Sequence, residues 1–162
     1  MTQHNGAMGE AEALKDFLQM GASVNSLTSS DYGLDLHLQL PLVPQKFGRL
    51  ESEWALSGRT AHVQVKNMTK GGSPSVEDSS VEGWVSGSKV GSPTFVFVIK
   101  NNKEKTFYSP RDLARLLAIW KGRNAEKRAK GEKEIESVTL TVDAGRTFDV
   151  DLLPTLLHLW TK

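Results

Sequence analysis

The chain has 162 residues, of which 38% are hydrophobic and 24% charged, with no cysteine and a formal net charge of +1. Such figures describe one globular domain over residues 1–162 with room for a proper core, and they exclude disulfide scaffolds, thiolate zinc sites and cysteine nucleophiles. No apolar run approaches the roughly 20 residues needed to cross a bilayer, and the polar start from Met1 to Met8 lacks a signal-peptide core, so a cytoplasmic setting is expected.

Taken in order, the chain opens with a helix over 9–20, where Ala11, Leu14, Phe17 and Leu18 form an apolar stripe and Gly21 is a natural stop. Ala22 to Leu27 reads as a first strand, and Thr28 to Asp31 as a turn, with Asp31 a turn residue. Tyr32 to Leu40 alternates as a second strand ended by Pro41 and Pro44. Residues 41–59 are a loop or extended hairpin leading into a third strand over 60–68. After the Gly71-Gly72-Ser73-Pro74 connection, residues 76–87 are expected to form a short helix carrying Val81 and Trp84. The nearly continuous apolar run Thr94 to Ile99 suits a central strand buried on both faces. Asn101-Asn102 turns the chain into a returning strand over 105–108.

Ser109-Pro110-Arg111-Asp112 has the composition of a helix start, with Ser109 at the N-cap and Pro110 at N1. Leu113, Leu116, Leu117 and Trp120 supply that helix's buried stripe. Lys121 to Lys133 is a basic helix extension or a loop, Glu136 to Val142 a strand, and Val150 to Trp160 a closing helix interrupted near Pro154. The order is that of a mixed α/β domain.

Two segments carry the chemistry. Alternation with period two sets Leu34, Leu36, Leu38 and Leu40 on one face of the second strand and Gly33, Asp35, His37 and Gln39 on the other. On the third strand Ala61, Val63 and Val65 point inward, leaving His62, Gln64 and Lys66 opposite. If the two strands are neighbours, a carboxylate, an amide and an ammonium converge. An acid in mid-strand between leucines is unusual, because Asp is depleted in strands. Such a patch can hold Mg²⁺ or Mn²⁺ through oxygen ligands and polarise a phosphodiester. Asp35 is the principal metal ligand in this reading, with Gln64 and the Val65 carbonyl as further oxygen donors. Lys66 orients the attacking water or neutralises charge building on the phosphate. A second carboxylate comes from the first helix, and Glu10 is preferred to Glu12 because it sits near the helix start beside Gly9.

Other chemistries find less support. His37 and His62 share the predicted face, but no third histidine has zinc-ligand spacing, and they are expected to line the groove or face solvent. There is no Gly-x-Ser-x-Gly elbow, phosphate loop or dinucleotide fingerprint. Trp54 and Trp84 can stack on bases, although the core is the commoner place for tryptophan. Residues 101–133 hold ten Lys or Arg against four Asp or Glu, a local balance of +6 that leaves −5 elsewhere. Arg111, Arg115, Lys121 and Arg123 are the candidates there for phosphate contacts.

The helix glutamate, Asp-Tyr-Gly-Leu-Asp-Leu at 31–36 and Gln-Val-Lys at 64–66 together resemble the PD-(D/E)XK, or restriction-endonuclease-like, superfamily. Within it the chain is similar to a bacterial group marked by a DYGxD…QVK pattern. Trp84, Phe95 to Ile99, Phe107-Tyr108 and Arg146 to Asp149 also fit that group. The resemblance implies an α/β fold whose mixed central sheet is flanked by helices, in the order α-β-β-β-α-β. It assigns Asp35, Gln64, Lys66 and Glu10 to the catalytic positions, with Gln64 where the superfamily has an acid and Leu34 where it has a proline. The expected function is a Mg²⁺- or Mn²⁺-dependent endonuclease acting on DNA, in defence against foreign DNA or in DNA processing. The alternative is a degenerate module of the same fold that binds nucleic acid or a protein partner. Nucleases of this kind often form homodimers. The apolar residues Leu152, Leu156, Leu159 and Trp160 offer an interface unless they pack on their own sheet, and a partner protein for targeting is a further expectation.

Overall fold

The computed structural model describes residues 2–26, 35–41, 56–68, 72–101 and 103–149. Asp31, Leu34, Trp54 and the expected closing helix, with Leu152, Leu156, Leu159 and Trp160, lie outside them.

Helix α1 (Thr2–Gln19) is followed by β1 (Ser23–Ser26), β2 (Leu36–Pro41) and β3 (Leu56–Met68). A short strand β4 (Ser75–Glu77) leads into α2 (Asp78–Val90), and then come β5 (Thr94–Lys100), β6 (Glu104–Tyr108) and α3 (Pro110–Ala129). Strand β7 (Ser137–Thr139), a 3₁₀ turn and β8 (Arg146–Thr147) end the described chain. The main sheet has the order β1-β2-β3-β5-β6-β8. Among the described strands only β3 and β5 run parallel, and the β4–α2 crossover between them is what parallel pairing requires.

Strand β5 explains the layers. Phe95, Phe97 and Ile99 join Leu36, Leu38, Ala61, Val63 and Val65 in a core beneath α1. Val96 and Val98 point the other way, into a second core with Val81 and Trp84 of α2 and Leu113, Leu116 and Leu117 of α3. A strand that feeds both cores has no polar face to show, hence its continuous apolar sequence. The mixed sheet flanked by helices is the architecture expected from the sequence.

Helix ends follow local chemistry. Gly21, at φ 89°, closes α1, and Ala22 N–H donates to Phe17 O as in a Schellman stop. Ser109 caps α3 in a full capping box with Asp112, and Pro110 takes N1.

Several boundaries depart from the sequence reading. Helix α1 begins at Thr2 rather than 9, and its buried face is Ala13, Asp16, Phe17 and Met20, while Leu18 is half exposed. The stripe is rotated because Lys105 of β6 bonds Asp16 at 2.6 Å and Glu12 at 2.9 Å, drawing an acidic residue inward. Residues 56–59 belong to β3, with Leu56 opposite Pro41, so of the two alternatives for this stretch the described part follows the extended hairpin and not the loop. The expected helix over 76–87 starts at Asp78, because Val76 is claimed by β4, pairing with Val138. The basic stretch continues α3 to Ala129 and stops before Gly131, at φ 70°. The strand expected over 136–142 is only Ser137–Thr139, and β8 lies beyond it. Among the described residues no helix is long and apolar enough to cross a membrane.

Candidate active site

Strands β2 and β3 are antiparallel neighbours, with Leu36 opposite Val63 and His37 opposite His62. The described β2–β3 register ends at Leu36, and Asp35 stands next to it, beside the stretch of β3 that pairs with β5 on its other edge. Its backbone N–H donates to Val63 O at 3.0 Å. Its carboxylate then bonds the next part of β3: Oδ2 accepts the Val65 N–H at 2.6 Å. The same oxygen accepts the Gln64 side-chain amide, also at 2.6 Å. Two donors fix the carboxylate's orientation, and neither of them uses Oδ1.

Gln64 is 6% exposed. Besides Asp35, its Nε2 donates to Val65 O at 3.2 Å. Both contacts are acceptors, so the amide is held with Nε2 toward them; the flipped amide would set oxygen against oxygen. Oε1 is thereby turned away, buried, and without a hydrogen bond among the described residues. A buried carbonyl oxygen without a donor costs about 1–3 kcal/mol, and a cation beside it would remove that cost.

Burial raises the Asp35 pKa above the usual carboxylate value, offset in part by the Val65 N–H and by the charge of Lys66. Glu10 is also raised, by burial and then by the negative charge of Asp35. Two half-buried carboxylates that feel each other, beside an unpartnered carbonyl oxygen, are the donor set of a hard divalent cation. Asp35, Gln64 and Glu10 fit such an ion.

The structure therefore brings Asp35, Gln64, Lys66 and Glu10 within bonding or electrostatic range. Glu10 arrives differently than expected: it lies in the middle of α1, not near its start. Its neighbour Gly9 lets the helix approach β3, since a Cβ at Gly9 would lie 2.7 Å from Asn67 Cβ. Glu12, the other choice, is engaged by Lys105. Val65, considered for its carbonyl, contributes its N–H to Asp35 as well, and that carbonyl accepts from Gln64. The sequence signal for this was an Asp just ahead of the alternating residues of β2, but the register against β3 was needed to read it. Among the described residues no group of three His, Asp or Glu gathers as a metal cluster.

His37 and His62 face each other across β2 and β3, with ring centroids 5.1 Å apart. Both are half-buried rather than turned to solvent. Burial, then the neighbouring His37, lowers the His62 pKa. Trp84 is core.

Arg111, Arg115, Lys121 and Arg123 are all exposed on α3. Lys121 bonds Glu82 of α2 at 2.7 Å. Downstream, Lys127, Arg128 and Lys133 pair with Glu132, Glu134 and Glu136, so much of the local positive balance is internally compensated. Strands β3 and β5 stand between β2 and β6, where α3 begins. Three strand spacings make that about 14 Å.

No family model and no curated protein matches the chain. Among solved structures it is similar to Archaeoglobus fulgidus Hjc, a Holliday junction resolvase from an archaeal hyperthermophile. The match covers 93% of this chain and 95% of that one, with a TM-score of 0.57 and 10% sequence identity. The chain has the resolvase fold. At that identity the likeness speaks to architecture, and the chemistry rests on the residues themselves.

Proposed function

We propose that the protein is a divalent-metal-dependent nuclease that hydrolyses DNA phosphodiester bonds, built as one domain on the resolvase fold. The observation that carries the reading is the Asp35–Gln64 pair, with its fixed carboxylate and the buried, unpartnered Gln64 Oε1. Asp35 Oδ1, Gln64 Oε1 and Glu10 would hold Mg²⁺ or Mn²⁺. Held there, such an ion would supply polarisation of the phosphoryl oxygen and a lowered pKa for water. Gln64 Nε2 and Val65 N–H keep the Asp35 carboxylate aimed, so little reorganisation is needed on binding. Lys66, two residues along β3, supplies the positive charge that complements the phosphate.

The fold neighbour acts on Holliday junctions, which makes branched DNA a substrate to try alongside linear duplex and single strands. DNA processing or defence against foreign DNA is the setting we infer, in the cytoplasm, with a homodimer or a targeting partner as the working assembly. Exposed Arg111, Arg115 and Arg123 would take the phosphate backbone.

A second reading is favoured by one feature: an amide stands at position 64, where a carboxylate would bind a hard cation more strongly. In that reading the domain binds nucleic acid or a protein without cutting. The deciding experiment is cleavage of labelled four-way junctions, duplex and single-stranded DNA with Mg²⁺ or Mn²⁺, comparing wild type with Asp35→Ala and Lys66→Ala. Cleavage lost in both variants supports the nuclease. DNA binding without cleavage supports the second reading.

A further inference from the structure

The face that carries Asp35 and Gln64 continues along the β2–β3 ladder. Two residues further along each strand, His37 and His62 are direct cross-strand partners. Two residues of antiparallel strand span about 6.8 Å, so this row is a distinct neighbour of the Asp35–Gln64 row, not part of it. The backbone on both sides is fixed by regular pairing, from Leu36–Val63 to Gln39–Thr60, and both rings are half-buried. The imidazoles are thus held in place by the sheet.

Their spacing is informative. The centroids are 5.1 Å apart and the planes inclined by 48°. With metal–nitrogen bonds of about 2.0–2.1 Å and a tetrahedral angle at the ion, two imidazoles on one ion have centroids about 5 Å apart. We propose that His37 and His62 form a second cation site, selective for a borderline-soft ion of the Zn²⁺ class, beside the hard-cation site at Asp35.

The chemistry of the donors separates the two sites. Imidazole nitrogen suits Zn²⁺, Ni²⁺ or Cu²⁺, whereas carboxylate and amide oxygens suit Mg²⁺ and Mn²⁺. No third His, Asp or Glu joins the pair among the described residues, so an ion held by the two imidazoles would take its remaining ligands from water or an anionic oxygen. An ion one row from Asp35 is placed to take a phosphate adjoining the one bound there. The two-site arrangement does not depend on the nuclease reading, because the histidine pair binds its ion whether or not Asp35 supports cleavage.

The test is calorimetric titration of the chelator-treated full chain with Zn²⁺ alone. With no cysteine and four histidines in the chain, background sites for Zn²⁺ are few. Wild type should bind one equivalent, and His37→Ala and His62→Ala should each weaken it by at least about tenfold. Asp35→Asn should leave Zn²⁺ binding unchanged while removing the Mn²⁺ response, which separates this site from the other. Circular dichroism and thermal melts of the histidine variants show whether the fold is retained, and His37→Asn with His62→Asn replaces any alanine variant that unfolds. The proposal is overturned if wild type binds no Zn²⁺, if the histidine variants bind it equally well, or if Asp35→Asn abolishes it. In each of those cases the 5.1 Å approach is an ordinary ring contact.

Discussion

Asp35 and Glu10 are two carboxylates whose pKa values are both raised, by burial and, for Glu10, by the charge of Asp35. The sign of the pH dependence follows. A carboxyl with a raised folded-state pKa holds its proton in the native state after the unfolded chain has released it, so stability falls as pH rises. The metal-free protein is expected to lose stability upward from the ordinary carboxylate range near about pH 4. Asp35→Asn flattens that fall, and Glu10→Gln flattens it less. Urea midpoints measured across pH in chelator check this; a midpoint that rises through the same window would count against the coupled pair. Gly9 is the second residue to test. Gly9→Ala adds a methyl where Asn67 Cβ is only 2.7 Å away. The gain in helix propensity of about 1 kcal/mol is outweighed by overpacking, so we expect a net loss of about 1–2 kcal/mol. Because Gly9 adjoins Glu10, Mn²⁺ affinity should fall along with the urea midpoint.

Among the elements, α1 is tied to the sheet by an ion cluster as well as by its apolar face. Lys105 on β6 reaches both Glu12 and the buried Asp16, whose side chain is 6% exposed. Lys105→Ala would leave Asp16 buried without a cation, at a cost of about 3 kcal/mol, the lower end for such losses because Lys105 keeps some contact with water. Replacing both, as Lys105→Met with Asp16→Leu, should recover much of that, and a double-mutant cycle measures the coupling. This cluster also marks the limit of what the sequence conveys. Alternation made β2 and β3 legible, and with them the face shared by Asp35, Gln64 and Lys66, while a continuous apolar run made β5 legible. Local capping residues made the starts of α3 and the end of α1 legible too. What stayed hidden depends on partners far along the chain: the burial of Asp16 goes with Lys105, and β4 forms by pairing with β7. The extent of α3 likewise relies on buried Asn124, whose side chain bonds the backbone of Ile135 on both N–H and C=O. Hydrophobic periodicity carries no information about such pairings.

At the scale of the whole molecule, the question is how a candidate site on β2 and β3 would share a substrate with the basic helix that follows β6, three strands from β2. Gln64 and Lys66 lie beside Val96 and Val98 in the parallel register, and those valines face the core that α2 and α3 cover. Gln64, Lys66 and α3 therefore lie on one side of the sheet, a geometry that one duplex can span, while Glu10 comes from α1, which packs on the other core. The cations of α3 are not equivalent, however. Arg111, Arg115 and Arg123 make no ion pair among the described residues, whereas Lys121 is already engaged by Glu82. A free cation that contacts a phosphate releases about one counterion, so each of Arg111→Gln, Arg115→Gln and Arg123→Gln should lower the slope of log K against log salt by about 0.9. Lys121→Gln should lower it by less, because Glu82 competes with the phosphate. Fluorescence anisotropy of a labelled duplex, titrated from low to physiological salt in Ca²⁺ or chelator to prevent cutting, reads these slopes directly. Unchanged slopes in all three arginine variants would move the DNA path off α3 while leaving the Asp35 site to be judged by cleavage. A reduced slope with intact cleavage of short oligonucleotides would separate the helix, as the holder of the duplex, from the strand pair that cuts it.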